Sequence, residues 1–189
     1  MGISGFSRKI LAGAVLALLG STAALAGLDG DLFSAVRSNK GKLVDSLVSQ
    51  GANPNAVARN GDTPLIMAAR EGSLYSAQEL LKDGANAGAQ NKRGQTALIA
   101  AAATGHSAMI KLLLQNGANI GASDKRGWTP LMAATAGGYL KTIQLLLDRG
   151  ADRNAQDSGG KTALALAQER RYAKISSFLQ SYVPPAKKS

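Results

Sequence analysis

The chain has 189 residues, 22 Lys and Arg against 12 Asp and Glu, a formal charge of +10, and no cysteine. The missing thiol excludes disulfides, thiolate metal sites and a cysteine nucleophile, so stability has to come from packing alone. The positive balance favours anionic partners, whether acidic proteins, lipids or polymers.

In chain order, residues 1–26 read first as a secretory signal peptide. Arg8 and Lys9 form a positive start, Ile10 to Leu19 is an apolar run of ten, and Ala24-Leu25-Ala26 is a small-x-small cleavage site before Gly27. These three regions together mark export. A membrane-spanning helix needs about 20 apolar residues, so the run is too short for an anchor. A lipoprotein would need a cysteine at the cleavage point, where none stands. Removal of 26 of the 189 residues leaves 163, and loss of Arg8 and Lys9 takes the charge from +10 to +8. The expected product is a periplasmic protein with no stable membrane insertion.

Residues 28–57 come next. Leu32, Phe33 and Val36 predict one helix, and Leu43, Val44, Leu47 and Val48 a second. No hairpin precedes them, which suits a terminal unit. From here the chain repeats itself. Gly51-Ala52-Asn53 recurs as Gly84-Ala85-Asn86, Gly117-Ala118-Asn119 and Gly150-Ala151-Asp152, at steps of 33 residues. Gly61-Asp62-Thr63-Pro64-Leu65 recurs at the same step as Gly94 to Leu98, Gly127 to Leu131 and Gly160 to Leu164. Two markers in phase make internal repetition the dominant signal.

Each repeat predicts a pair of helices. Thr63, Thr96, Thr129 and Thr162 are placed to cap the first helix, their hydroxyls accepting a free N–H of the first turn. Pro64 and Pro130 follow at the position where no N–H partner is lost. Leu65, Leu98, Leu131 and Leu164 should point inward, and the pairs Ala68-Ala69, Ala101-Ala102 and Ala133-Ala134 should let helices approach closely. Gly72, Gly105 and Gly138 should end this helix with a left-handed residue. Leu80-Leu81, Leu112 to Leu114 and Leu145 to Leu147 form the second helix, and a projecting hairpin leads into the next unit. A single unit cannot hide its apolar face, whereas stacked units bury a continuous core. The expected fold is all-α, a solenoid of helix-turn-helix units at about 28–57, 58–90, 91–123, 124–156 and 157–181. In the last unit, Ala163–Ala167 and Tyr172–Leu179 make the helix pair, with Gln168 to Arg171 and Lys174 as a polar exterior. Residues 182–189, with Pro184-Pro185, read as a disordered tail.

The repeated pattern, with Asp124-Lys-Arg-Gly-Trp-Thr-Pro-Leu131 as its fullest copy, resembles the ankyrin repeat over residues 28–181. The chain is similar in this respect to exported bacterial ankyrin proteins. It departs from the family pattern at the histidine of Thr-Pro-Leu-His, where Ile66, Ile99, Met132 and Ala165 stand. Since that histidine ties down the hairpin, the resemblance implies less firmly held hairpins here.

No catalytic constellation is present. The single histidine, His106, follows Gly105 at a position the resemblance marks as structural, and a lone histidine without a partner is a poor base. No set of side chains has metal-ligand spacing, and no phosphate-cradling Gly-x-x-x-x-Gly-Lys-Ser/Thr motif occurs. Asp62, Glu71, Asp124, Asp157 and Glu169 fall at the same few repeat positions, as caps and surface pairs would. Neither an enzyme nor a cofactor is expected.

The resemblance implies that hairpin tips and the exposed face of the first helices bind partners. Carried over, these positions are Arg59, Asn60, Asp62 and Arg70 in one unit, Lys92, Arg93 and Gln95 in the next, Lys125, Arg126, Trp128 and Arg149 in the third, and Lys161 in the last. Arg59, Lys92, Arg93, Lys125 and Arg126 repeat along one edge, which could steer an acidic partner or serve only as a solvated border. Trp128, the only tryptophan, fits an exposed interface anchor, or a ring packed on the neighbouring hairpin beside Arg126. The function expected is a non-catalytic, monomeric protein-binding module of the periplasm, a scaffold or stabiliser of an acidic exported protein. An immunity protein against a periplasmic toxin, and an electrostatic binder of anionic envelope lipid or polymer, are the alternatives. Nucleic acid is disfavoured by export and by the absence of aromatics interleaved among the basic tips.

Overall fold

The computed structural model describes residues 22–183, with side chains from residue 27 onward. Ten helices and no strand occur among the described residues. They are α1 (Thr22–Arg37), α2 (Gly41–Ser49), α3 (Pro64–Glu71), α4 (Leu74–Lys82), α5 (Ala97–Ala103), α6 (Ser107–Gln115), α7 (Pro130–Ala136), α8 (Leu140–Asp148), α9 (Ala163–Glu169) and α10 (Ala173–Ser181). The fold is the all-α ankyrin-repeat solenoid. Residues 1–21 of the expected signal peptide and 184–189 of the expected tail lie outside the described residues, and α1 runs through Ala26 without a break.

The helices stand in two rows. The first helices, α1, α3, α5, α7 and α9, pack successively on one another, and the second helices α2, α4, α6 and α8 do the same. Each unit also packs its own two helices together. Short helices of seven to nine residues in the repeats would not persist alone in water. They hold because each is capped and buries one face. Thr63, Thr96, Thr129 and Thr162 each accept from the backbone N–H three residues on, at 3.2–3.3 Å. The hydroxyl thereby satisfies one of the free donors of the first turn.

A continuous core runs along the stack. Leu65, Leu98 and Leu131 are fully buried, as are Ala68, Ala69, Ala101, Ala102 and Ala134. Between the rows lie Leu80, Ile110, Leu113, Ile143 and Leu146. Leu164, in the last described unit, is only partly buried. At the other end Leu28 is the first described side chain on the core, followed by Leu32, Ala35 and Val36.

Two kinds of close approach set the spacing of the units. In the hairpins, Gly94 has φ +78°, and a β-carbon there would lie 2.8 Å from the backbone nitrogen of Lys125 in the next hairpin. At the end of each first helix a second glycine receives a ring. The His106 ring lies against Gly72 and the Tyr139 ring against Gly105, where a β-carbon would come within 2.6–2.7 Å of ring atoms. His106 is therefore a packing residue. The two terminal copies of this glycine position are not glycine. Asn39 and Arg171 occupy it with φ 51° and 57°.

The missing family histidine does not leave the hairpins untied. Asn91 Oδ1 accepts from the N–H groups of Arg93 and Gln95, Asp124 Oδ1 from those of Arg126 and Trp128, and Asp157 Oδ1 from those of Gly159 and Lys161, all at 2.8–3.0 Å. One side chain thus closes each loop. Further along, Asn53, Asn86, Asn119 and Asp152 each accept from the N–H two residues on, at 2.8–2.9 Å.

One residue of the expected tail is held in the fold. Tyr182 belongs to the fold: its hydroxyl donates to Asp148 Oδ1 at 2.9 Å, and its carbonyl accepts from Arg153. Burial, with the hydrogen bond to Asp148 and the charge of that carboxylate, pushes the Tyr182 hydroxyl up to about 12.

These contacts predict a contrast between two glycines of equal backbone conformation. Gly94 and Gly117 have φ +78° and +80°, but nothing stands within 4 Å of a β-carbon at Gly117. Gly117→Ala should cost only the conformational term, about 1 kcal/mol. Gly94→Ala should cost at least about 2 kcal/mol, because the hairpins must also part. Urea unfolding of the two variants checks this, and equal losses would show that hairpin contact does not set the cost.

Candidate partner-binding edge

The residue between Gly and Thr in each unit is Asp62, Gln95, Trp128 or Lys161. Each sits where a hairpin turns into the first helix, facing the residue eight positions on near that helix's end. In the first full unit this pairs Asp62 with Arg70, and in the last it pairs Lys161 with Glu169 at 2.7 Å. The polarity is reversed between the two ends. In the two middle units the far position is Ala103 or Ala136, and no ion pair spans the gap.

Asp62 was expected at the surface, and the structure corrects this. Its side chain is 1% exposed. Two bonds come from Arg70, one of them Nη2 to Oδ1 at 3.1 Å, one from Asn91 Nδ2 at 2.8 Å, and one from Asn60 Nδ2 at 2.7 Å. A buried carboxylate needs such a shell of donors. Burial pushes its pKa up, but the hydrogen bonds from Arg70 and Asn91, the Arg70 charge and the bond from Asn60 outweigh that and hold it below its ordinary 3.8. Asp62 and Asn60 therefore lock a hairpin, and Asn91 carries the lock to the next one. Arg70 is one third exposed and committed to the same pair.

Trp128 follows the same design with different chemistry. It is half-buried on the core, not a free-standing anchor. Its Nε1 donates to Asp157 Oδ2 of the next hairpin at 3.2 Å, and the Arg126 guanidinium lies 4.3 Å from its ring centroid. Asp157 is held below the ordinary carboxylate range by the backbone N–H of Lys161, against some burial, with further help from Gly159 and the indole. Arg126 is itself tied to Asp124 at 3.1 Å. Of the two readings the sequence left open, the packed ring beside Arg126 is the one observed.

The remaining cations form the edge. Arg59, Lys92, Arg93 and Lys125 are exposed and make no ion pair among the described residues. The second and third tips are bonded backbone to backbone, Lys125 N–H to Arg93 O at 3.0 Å, as are the third and fourth, Ser158 N–H to Arg126 O at 2.8 Å, and the first hairpin is joined to the second by Asn91 Nδ2 to Asp62 Oδ1 at 2.8 Å, so the row keeps a fixed pitch. Arg149 is placed elsewhere, as the residue ending α8, and does not sit on a tip. Lys161 is half-exposed but bonded to Glu169. The pairing across eight residues was missed from sequence, although opposite charges recur at that spacing in two units. Among the described residues, no group of three His, Cys, Asp or Glu side chains could hold a metal ion, and no helix is long and apolar enough to cross a membrane.

The Asp62 lock predicts a pH signature. Because the folded pKa lies below 3.8, the carboxylate stabilises the fold above that pH, and the contribution is lost as pH falls through the lower folded value. Asp62→Asn should lower the unfolding free energy at pH 7 by about 2 kcal/mol, and the gap to wild type should narrow toward about pH 2. Urea unfolding at both pH values tests it; a gap that does not change with pH would remove the charge from the explanation.

Comparison with known families agrees with this architecture. The family model described as ankyrin repeats (3 copies) matches residues 32–124 and 116–187. No curated protein matches the chain. Repeats of this kind are non-catalytic protein-interaction modules as a rule, and a match over most of the length, on a stack of capped helix pairs with docked hairpins, makes the chain a member of the ankyrin-repeat family.

Proposed function

We propose that the chain is exported, loses residues 1–26, and acts in the periplasm as a monomeric scaffold or stabiliser that holds an acidic protein along its hairpin edge, without chemistry of its own. The observation that carries this reading is the row of Arg59, Lys92, Arg93 and Lys125, exposed, unpaired among the described residues and held at fixed pitch by bonded hairpins. Cations that a fold needs for itself are paired, as Arg70 and Lys161 are. Cations left free on a rigid row raise the encounter rate with an acidic surface and select against a basic one.

Two measurements test the proposal. The intact mass of the protein recovered from a periplasmic fraction should correspond to a chain beginning at Gly27; a chain retaining residues 1–26 would overturn the export reading. Arg59, Lys92, Arg93 and Lys125 all changed to Glu should cut recovery of a stoichiometric acidic partner by about tenfold or more while helix content is unchanged. Wild-type recovery should also fall as salt rises from about 0.05 to about 0.5 M. Equal recovery by both proteins would overturn the edge as the binding surface.

A further inference from the structure

The four variable positions differ in what they leave open. At both ends of the stack the space between the variable residue and the helix end is bridged, by Asp62 with Arg70 and by Lys161 with Glu169. In the two middle units Ala103 and Ala136 stand where those partners would be, and the space is a groove of about 230 Å³. Its floor is Ile99 and its sides are Gln95, Ala103, Trp128, Arg126 and Ala136. The indole cannot swing in to fill it, because Asp157 holds Nε1 and Arg126 covers a face of the ring. The groove is smaller than the roughly 300–1,000 Å³ typical of small-molecule sites, and it suits one inserted side chain. Its neighbours on the hairpin row are Arg93 and Lys125, exposed and without ion pairs among the described residues.

We infer that the partner presents an extended acidic segment with one large apolar residue, whose side chain seats between Ala103 and Ala136 against Trp128 while flanking carboxylates meet Arg93 and Lys125. This rests on the edge-binding reading above and adds the register and the chemistry of the contact. The apolar walls give the inserted side chain a place to leave water, and the cations fix which kind of chain can bring it there. The ion pairs at either end make those units poor hosts, since a guest there would have to break them. Recognition is thereby confined to the middle of the stack.

The test uses the 163-residue exported product and labelled peptides of about ten residues, read by fluorescence anisotropy. One peptide is rich in Asp and Glu with a central Leu; the second has Ser at the centre; the third is rich in Lys with a central Leu. The first should bind at least about tenfold more tightly than the second, the worth of burying one leucine side chain, and the third should not bind. Ala136→Leu, which fills the groove, should abolish the advantage of leucine over serine and leave the weak charge-driven binding. Ala103→Leu, at an exposed position that tolerates the larger side chain, should do the same with helix content unchanged. Arg93→Glu with Lys125→Glu should weaken both acidic peptides. Equal binding of the leucine and serine peptides overturns the groove while leaving the acidic-partner reading in place. Absence of binding by either up to about 1 mM overturns it as well, and so does an unchanged leucine advantage in both filled variants. Vesicles of phosphatidylglycerol run alongside separate a membrane surface: capture by vesicles where neither acidic peptide binds also sinks the inference. Failure of the edge reading itself is seen independently, as equal partner recovery by the charge-reversed protein.

Discussion

Contact between successive units at points too tight for a β-carbon is the constraint on which the rest of the structure depends. The hairpins meet where Gly61, Gly94 and Gly127 face the backbone of the following hairpin at 2.5–2.9 Å from an imagined β-carbon. The helix pairs meet where a ring settles on the glycine of the unit before. The hairpin contact recurs at all three seams between hairpins, while the ring contact is this tight at Gly72 and Gly105 and relaxes to ordinary distance, 3.6 Å, at Gly138. Helices of seven to nine residues then hold their place through neighbours on either side. The row of tips inherits its pitch from the same contacts.

Within that frame, the variable position of each unit is a choice between closing the surface and leaving it open. Asp62 and Lys161 close it with partners eight residues on. Trp128 packs against the core and is secured by the next hairpin, and the alanines opposite leave room. The loop-closing carboxylates share this logic. Asp124 closes its own hairpin through Oδ1 and uses Oδ2 to hold Arg126, while Asp157 closes its hairpin through Oδ1 and holds the indole of the preceding unit through Oδ2. Each carboxylate therefore serves both its loop and the edge beside it.

Much of this was legible in the residues. Threonine caps, the buried leucines and the left-handed glycines follow from local rules that act within a few positions, and they stand where the pattern predicts. The site was less legible, because its geometry links residues that are distant in sequence or in different units. Nothing local says that Asp62 is buried, since that follows from Arg70 eight residues on and Asn91 in the next hairpin. The indole of Trp128 is likewise fixed by Asp157, 29 residues away. The alanines that open the groove, Ala103 and Ala136, drew no attention in the sequence, because a small side chain that makes space has no signature of its own. Tyr182 seemed part of a tail because two prolines follow closely, whereas its hydroxyl reaches back to Asp148.

At the position that accepts the next unit's ring, the chain carries glycine three times, but Asn39 begins the series and Arg171 ends it. Above Asn39 the next unit carries Ser73 where later units carry a ring, and Asn39 Oδ1 accepts from the backbone N–H of Ser76 at 3.2 Å. Glycine with a ring is thus exchanged for asparagine with a backbone donor, so the two faces of that seam form one paired choice.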